Sequence, residues 1–209
     1  WSRTDISGSA VSSERQRFDE SVAEMIDELE QLRDRTTAEI GAEQAAIFRV
    51  QLAILRDPYF ARTVEEHITG HRRTAEHALV SVVDDWANSA AALIDEESRE
   101  QAMDVRDLTQ RLMWHLSGRS RGHSPLPPEH SILIAGELLP SDVMELDWSR
   151  VLAAVTEWGG PTSHASILIR SLGIPTVTGA TGIRDSTHQG QKVLVNGELG
   201  VVFLEPSEE

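Results

Sequence analysis

The spacing of apolar residues changes near residue 120, and this change limits the chain to folds that have two different parts. The segment between the two spacings, GRSRGHSPLPPEH (118–130), contains two Gly and three Pro in thirteen residues, which neither a helix nor a strand tolerates. Before it, Gly and Pro are almost absent between Val11 and Ser117, and after it glycine is frequent. The sequence therefore predicts a junction between two domains.

Helical spacing dominates the part before the junction. Apolar residues recur there every three or four positions, as on the buried face of an amphipathic helix. An all-α bundle is predicted. Its expected helices run from Ser12 to about Ile40, through EQAAIFRVQLAILRD to the stop at Asp57-Pro58, from Pro58 through Ile68, from Thr74 to about Ile94, and along the stripe Ala102, Val105, Leu108, Leu112 and Leu116 to Gly118.

Strand and helix signals alternate after the junction. The short apolar runs SILIAGEL, VLAAVTE and IPTVTG are typical of buried strands, and helical segments, PSDVMELD and SHASILIRSLG, lie between them. Asn196-Gly197, between runs rich in β-branched residues, indicates a final hairpin. This order predicts an α/β layer fold, so the whole chain is expected to be an α+β multidomain protein.

Charge and composition exclude several classes of function. The 209 residues carry 19 Lys+Arg against 34 Asp+Glu, a net charge of −15, which disfavours nucleic acid and membrane surfaces and favours a basic protein partner. The absence of Cys excludes disulfides and thiolate chemistry and agrees with a cytoplasmic location. No membrane span or secretory segment is predicted, and the opening at Trp1 rather than Met indicates a cut start.

The segment GGPTSH (159–164) is the strongest candidate for chemistry. Gly159 and Gly160 follow an apolar run, and Thr162, Ser163 and His164 begin a helical one. A helix start offers unpaired backbone N–H groups and the positive end of the helix dipole, which favour a phosphate. Neutral imidazole can attack phosphorus, so His164 is a candidate phosphoryl carrier. The alternative is that Thr162 or Ser163 only caps the helix and His164 is an ordinary first-turn residue.

Residues 159–177 resemble the phosphohistidine signature of the phosphoenolpyruvate-utilising enzymes, G-G-x-T-S-H-x-[AS]-I-x-[AI]-R-x-L-G-I-P. The resemblance implies that His164 is the catalytic residue of an α/β phosphohistidine swivelling domain. It also implies a set of phosphate-supporting residues and no metal site in this part. The supporting residues are Gly159, Gly160, Thr162, Ser163 and Arg170.

The helical half resembles Enzyme I of the bacterial sugar phosphotransferase system in two segments, GAEQAAIFRVQLAILRDP and DVRDLTQRLMWHLSG. This resemblance implies a helical bundle that docks the carrier HPr. The bundle is expected either to be inserted in the α/β domain or to precede it. The implied HPr-docking residues are Glu43, Ile47, Gln51, Ile54, Leu55 and Arg106. The expected division is a residual N-terminal segment of the α/β subdomain (1–11), the docking subdomain (12–119), a linker (120–130) and the α/β subdomain (131–209).

Alternatives to docking and departures from the Enzyme I pattern both bear on these residues. Helical spacing alone favours a core position for Ile47, Ile54 and Leu55, and Arg106 is also compatible with a surface ion pair. The family's docking-helix His is Gln51 here and one of its paired acids is Ala42, which predicts weaker or more selective HPr binding. Leu139 occupies the position of a Thr that would orient the active His, so another group must orient His164.

The resemblance implies a phosphoenolpyruvate-protein phosphotransferase that passes a phosphoryl group from phosphoenolpyruvate through His164 to a His of HPr, for sugar uptake. Mg²⁺ and phosphoenolpyruvate are expected on a C-terminal barrel outside this chain, and that barrel and HPr are the expected partners. Alternatives are the phosphotransfer subunit of dihydroxyacetone kinase, the nitrogen-related branch of Enzyme I, or a binding module without catalysis. The spacing of His67, His71 and His77 favours solvated positions over a metal site, and Ser163-His164 lacks a hydrolase elbow.

Overall fold

The computed structural model of the chain describes residues 5–91, 96–118 and 127–206. They divide into two compact units: a helical unit of residues 5–38 and 45–118, and an α/β unit of residues 39–44 and 127–206. Residues 120–126 of the predicted linker and 92–94 of the fourth predicted helix lie outside the described residues. None of the helices described is long and apolar enough to cross a membrane.

The helical unit contains the predicted helices. They are α1 (Val11–Glu39), α2 (Ala46–Leu55), α3 (Pro58–Gly70), α4 (Ala75–Ala91) and α5 (Glu96–Leu116), after a short 3₁₀ turn, Gly8–Ala10. Pro58 begins α3 as predicted, and Asp57 is its N-cap, because the Asp57 carboxylate accepts the Tyr59 N–H at 2.8 Å.

Large apolar side chains from these helices form the core of the helical unit. Aromatic rings of α1, α3 and α4 meet in it: the Phe60 centroid lies 6.2 Å from that of Phe18 and 5.6 Å from that of Trp86. Fully buried apolar residues surround the rings. Among them are Met25, Leu29, Phe48, Val64, Ile68, Leu79, Leu108 and Leu112.

Two short segments lie in other units than the sequence predicted. Asp5 and Ile6, expected to be left from the α/β subdomain, belong to the helical unit: Ile6 N–H donates to the Arg72 carbonyl at 2.9 Å, and Asp5 pairs with Arg73 at 3.1 Å. Residues 39–44, expected within the helical subdomain, group with the α/β unit. Residues 5–6 precede α1 and residues 40–44 follow it, and both are irregular, so helical spacing carries no information there.

The α/β unit is built on a parallel sheet in the order β1-β2-β3. Its elements are β1 (Ser131–Ala135), α6 (Pro140–Glu145), β2 (Val151–Thr156), α7 (His164–Ser171), β3 (Thr176–Val177) and a short α8 (Ile183–Ser186), which the sequence did not predict. The helices α6 and α7 are the crossovers between parallel neighbours and pack against each other. The first strand is shorter than its apolar run and ends before Gly136.

The predicted hairpin is present as β4 (Val193–Asn196) and β5 (Val201–Leu204). Its turn has four residues, 197–200. In it the Asn196 side-chain oxygen accepts the N–H groups of Glu198 and Leu199, and Gly200 takes a φ of +66°. Val195, Val202 and Leu204 of the hairpin pack with Val155, Val177 and Ile183. The hairpin therefore supports the sheet through these apolar contacts.

Candidate functional site

The loop that follows β2 leads directly to His164 at the carboxyl end of the parallel sheet, the edge where open α/β sheets bind ligands. Its start is fixed to the neighbouring strand, because Glu157 N–H donates to the Ala135 carbonyl at 3.1 Å and Trp158 N–H donates to the Gly136 carbonyl at 2.8 Å. Gly159 then takes a φ of +97°, a conformation that favours glycine. The chain thereby turns off the sheet edge and enters α7.

Ser163 is the N-cap of α7, a role that the sequence left open between Thr162 and Ser163. Its Oγ accepts the Ser166 N–H at 3.3 Å and donates to Ser166 Oγ at 2.9 Å. The Ser166 hydroxyl in turn donates to the Gly160 carbonyl at 2.9 Å. This chain of hydrogen bonds fixes the loop to the first turn of the helix, so the Ser163 hydroxyl serves the backbone.

His164 is the first residue of α7 and is half-buried. The backbone N–H groups of the first helical turn have no carbonyl one turn earlier within the helix, and the dipole adds partial positive charge there. Thr162 beside it is exposed. An imidazole, a hydroxyl and a helix N-terminus therefore occupy one end of α7, and this arrangement suits a phosphorylated side chain.

Arg170 is not part of this arrangement. It lies in the last turn of α7 and is exposed. Six residues along a helix correspond to about 9 Å along its axis, so the backbone of Arg170 lies at the opposite end of α7 from His164. Leu139, at the position where the family has a Thr, is 5% exposed and precedes α6. Its N–H donates to the Asp142 carboxylate at 3.0 Å, and its side chain offers no hydrogen bond to His164.

Three of the residues implied to dock a partner are buried in the helical unit, and their docking role stays a prediction. Ile47, Gln51 and Leu55 are 2%, 0% and 3% exposed. They repeat every four residues along α2 and form its inner face, the core role that helical spacing alone favours for Ile47 and Leu55. A partner cannot reach them without opening the bundle.

The outer face of α2 contains the residues that precede Gln51 and Leu55 by one position. Val50 is 51% exposed, Ala53 is exposed, and Ile54 is half-buried. Arg106 on α5 is exposed as well, and Glu43 is exposed on the 39–44 segment of the α/β unit. Val50 was not predicted, although its position four residues before Ile54 is the signal that identifies a shared face.

A cluster of buried charges inside the helical unit was also not predicted. Arg111, 1% exposed, pairs with Glu28 of α1, and its Nε lies 3.6 Å from Asp107 Oδ1. Gln51 Nε2 donates to Asp107 Oδ2 at 3.1 Å, so the family's docking position is occupied by a core amide. His115 Nε2 lies 2.7 Å from Glu28 Oε2. The spacing of four between Asp107, Arg111 and His115 is the sequence signal for one face of α5.

These contacts shift two ionisation equilibria. The hydrogen bond with Glu28 raises the pKa of His115, and a second contact, 3.2 Å to Glu24, acts in the same direction. Burial alone would raise the pKa of Glu28. The hydrogen bond from His115 and the positive charge of Arg111 outweigh burial, so the pKa of Glu28 is lowered. Both shifts therefore favour the charged forms of the two groups.

The chain combines two units, a parallel sheet with a capped histidine helix at its carboxyl edge and a helical bundle. Comparison with known families identifies the class of proteins that has both. Residues 127–200 match the family described as "PEP-utilising enzyme, mobile domain", and residues 2–101 match "PEP-utilising enzyme, N-terminal".

Solved structures and curated relatives give the same assignment. A solution structure of Enzyme I (nEIt) shares 33% identity, with a TM-score of 0.76, over 99% of this chain and 84% of that chain. The N-terminal domain of "Enzyme 1 - Nitrogen" shares 30%, with a TM-score of 0.67, over 99% and 83%. The phosphoenolpyruvate-protein phosphotransferases of Priestia megaterium and Bacillus subtilis are 35% and 34% identical, over 95% and 94% of this chain.

The chain belongs to the phosphoenolpyruvate-utilising enzyme family, as a relative of the N-terminal domain of Enzyme I. The α+β organisation implied by the sequence resemblance is confirmed. The chain spans about a third of the length of the curated relatives, 35% of each of the two phosphotransferases named above.

Proposed function

We propose that this chain is the phosphoryl-transfer module of a phosphoenolpyruvate-protein phosphotransferase, and that His164 carries the phosphoryl group. In the whole enzyme the group comes from phosphoenolpyruvate bound with Mg²⁺ on a C-terminal barrel. It then passes to a histidine of an HPr-type phosphocarrier that serves sugar uptake. The observation that carries the proposal is His164 as first residue of a Ser163-capped helix at the carboxyl edge of the sheet, in a chain of this family.

The chemistry requires positioning more than bond-making groups from the protein. A ring nitrogen of His164 attacks phosphorus with its lone pair, and a P–N bond forms as the P–O bond of the donor breaks. In the second step the carrier's imidazole nitrogen attacks, and the P–N bond to His164 breaks. Each transfer is a displacement without oxidation, so a fixed approach and the positive helix end account for the help that the module gives.

The carrier is proposed to dock on the exposed face of α2 and the adjoining part of α5. The Gln51–Asp107 hydrogen bond holds these two helices together. Ile54 follows Gln51 by one helical turn, and Arg106 precedes Asp107 by one residue, so both flank that contact. Val50 extends the apolar face, and the acidic chain favours a basic carrier.

The test is to incubate the 209-residue chain with phosphorylated HPr-type carrier and to measure acid-labile phosphate on it by mass spectrometry. The expected result is one phosphate on His164. His164→Ala should abolish the uptake, and the control His188→Ala, which removes an exposed histidine of the same unit, should retain it. Uptake by His164→Ala would overturn the assignment, and binding of the carrier without any transfer would indicate a binding module.

The solved structures of Enzyme I and of the nitrogen-related Enzyme I are both similar to the chain. Parallel incubations with the carriers of the two systems therefore decide between sugar uptake and the nitrogen-related branch, since the carrier that transfers faster identifies the system.

A further inference from the structure

Trp158 is the largest exposed apolar side chain of the described α/β unit, and it lies in the loop that holds His164. Its side chain is 61% exposed. Its backbone is fixed on both sides: the N–H donates to the Gly136 carbonyl at 2.8 Å, and the carbonyl accepts the Thr156 hydroxyl at 2.8 Å. The ring is thus presented to solvent from a rigid support, so a partner that covers it pays little ordering entropy.

After Glu157, which is half-buried and accepts the Arg184 N–H at 3.2 Å, the loop that carries Trp158 has no charged residue. WGGPTS (158–163) is uncharged in a chain with 19 basic and 34 acidic residues, and Trp158, Gly159, Pro161 and Thr162 are exposed. An uncharged surface around a site for a doubly negative group does not bind that group by charge pairs. It suits apolar contact with the surface that surrounds the donor atom.

The geometry of transfer requires a protein partner to cover this loop. Reacting atoms must approach to about 3–3.5 Å, so the partner's surface lies against the residues next to His164. Gly160 is folded back to the helix start, with its carbonyl 3.2 Å from Ser163 N, and Trp158 precedes Gly160 by two residues. An ordinary interface buries about 800 Å² on each partner, a patch of roughly 16 Å radius, which extends over the loop.

We propose that Trp158 is a contact residue for the phosphocarrier protein that exchanges the phosphoryl group with His164. The carrier meets Trp158 with an apolar surface that lies beside the carrier's own histidine. The inference rests on the proposed function and adds a contact that α2 and α5 do not supply. Tryptophan is enriched among the residues that dominate interface energies. A separate carrier needs such a contact, whereas a barrel tethered in the same chain gains its encounter from effective concentration.

The experiment compares a protein donor with a small one. The full 209-residue chain and its Trp158→Ala variant are phosphorylated with the phosphorylated HPr-type carrier and, separately, with phosphoramidate, which has no protein surface. With the carrier below saturation, Trp158→Ala should transfer about tenfold more slowly, and the loss should narrow at saturating carrier. With phosphoramidate the two rates should be equal. Trp158→Phe should retain most of the rate with the carrier.

Leu199→Ala is the matched control, since Leu199 is 74% exposed on the hairpin turn of the same unit and should show no effect with either donor. Equal rates for Trp158→Ala and the unmodified chain with the carrier would overturn the inference. Equal slowing with both donors would make Trp158 a support of the loop, and a loss seen only with phosphoenolpyruvate in the full-length enzyme would assign the contact to the barrel. If phosphoramidate and the carrier both fail to phosphorylate the unmodified chain, the proposed function itself fails.

Discussion

The two units satisfy their buried polar groups in different ways. In the described part of the α/β unit, the buried polar residues are hydroxyls, Ser141, Thr156 and Ser166, whereas the helical unit buries the charged Asp107 and Arg111. Ser166 and Thr156 bond to carbonyls within six residues along the chain. The contacts between helices in this cluster, Gln51 with Asp107 and Glu28 with His115, join residues 56 and 87 positions apart. Local bonds shape the candidate site, and long-range charge pairs fix the bundle.

The largest expected effect tests the charge cluster. Arg111→Met should lower the free energy of unfolding of the helical unit by about 3–5 kcal/mol, because it removes a positive charge that lies beside the fully buried Asp107 carboxylate. Urea unfolding followed by circular dichroism at 222 nm measures the loss. The control is Arg62→Met, which removes an exposed ion pair in which Arg62 Nε lies 3.9 Å from Glu66 Oε1. It should lower the free energy of unfolding by less than about 0.5 kcal/mol.

A loss below about 1 kcal/mol for Arg111→Met would show that the cluster does not determine the stability of the bundle. Amide spectra of the Arg111→Met variant are a second measurement, and in them the signals of residues 127–206 should change little. Broad changes there would mean that the two cores depend on each other.

The next effect concerns the surface of the helical unit. Val50→Lys should weaken binding of the HPr-type carrier about tenfold, since it replaces an exposed apolar contact by a charge of the same sign as a basic carrier. Gln31→Lys, which adds the same charge at an exposed position of α1, should change the affinity less than about twofold. Amide shift titration with labelled chain measures both. Equal affinities, or shifts confined to residues 130–209, would exclude docking on α2.

The sequence predicted the helix start at the site better than the docking face, and the reason is physical. A Ser followed by His at the beginning of a helical run is a local cap signal, and the Ser163–Ser166 contacts span only three residues. The face of α2 depends on which neighbours bury it, and a shift of one residue rotates a helix by about 100°. The docking role of Ile47 and Gln51 is implied by the resemblance alone, whereas helical spacing favours a core position for Ile47 and the neighbouring helices bury both side chains.

The third prediction returns to the α/β unit. Ser163→Ala should destabilise α7 by about 1 kcal/mol, because it removes the oxygen that accepts the Ser166 N–H. It should also slow phosphorylation of His164 by phosphoramidate, since the loop is no longer fixed to the first turn. Ser171→Ala, which loses a hydroxyl bonded to the Ile167 carbonyl at the other end of α7, is the control. Hydrogen exchange of the α7 amides measures the change. Identical exchange in the two variants would show that the Ser163 cap does not stabilise α7.

The smallest expected effect is a pH dependence confined to the helical unit. The pKa of His115 is raised in the folded chain from an ordinary value of 6.5, mainly by the hydrogen bond with Glu28, so folding favours the protonated ring. Its contribution is complete below pH 6.5 and is lost as the pH rises through the raised value. The pKa of Glu28 is lowered from 4.5, so its contribution is complete above pH 4.5 and is lost as the pH falls through the lowered value.

The free energy of unfolding, measured in urea at a series of pH values, should therefore fall on both sides of the window between pH 4.5 and pH 6.5. His115→Gln should remove the decline on the alkaline side, because no group at this position then titrates there. An alkaline decline of the same slope in His115→Gln would assign it to other groups, and the pairing of His115 with Glu28 would not contribute to stability.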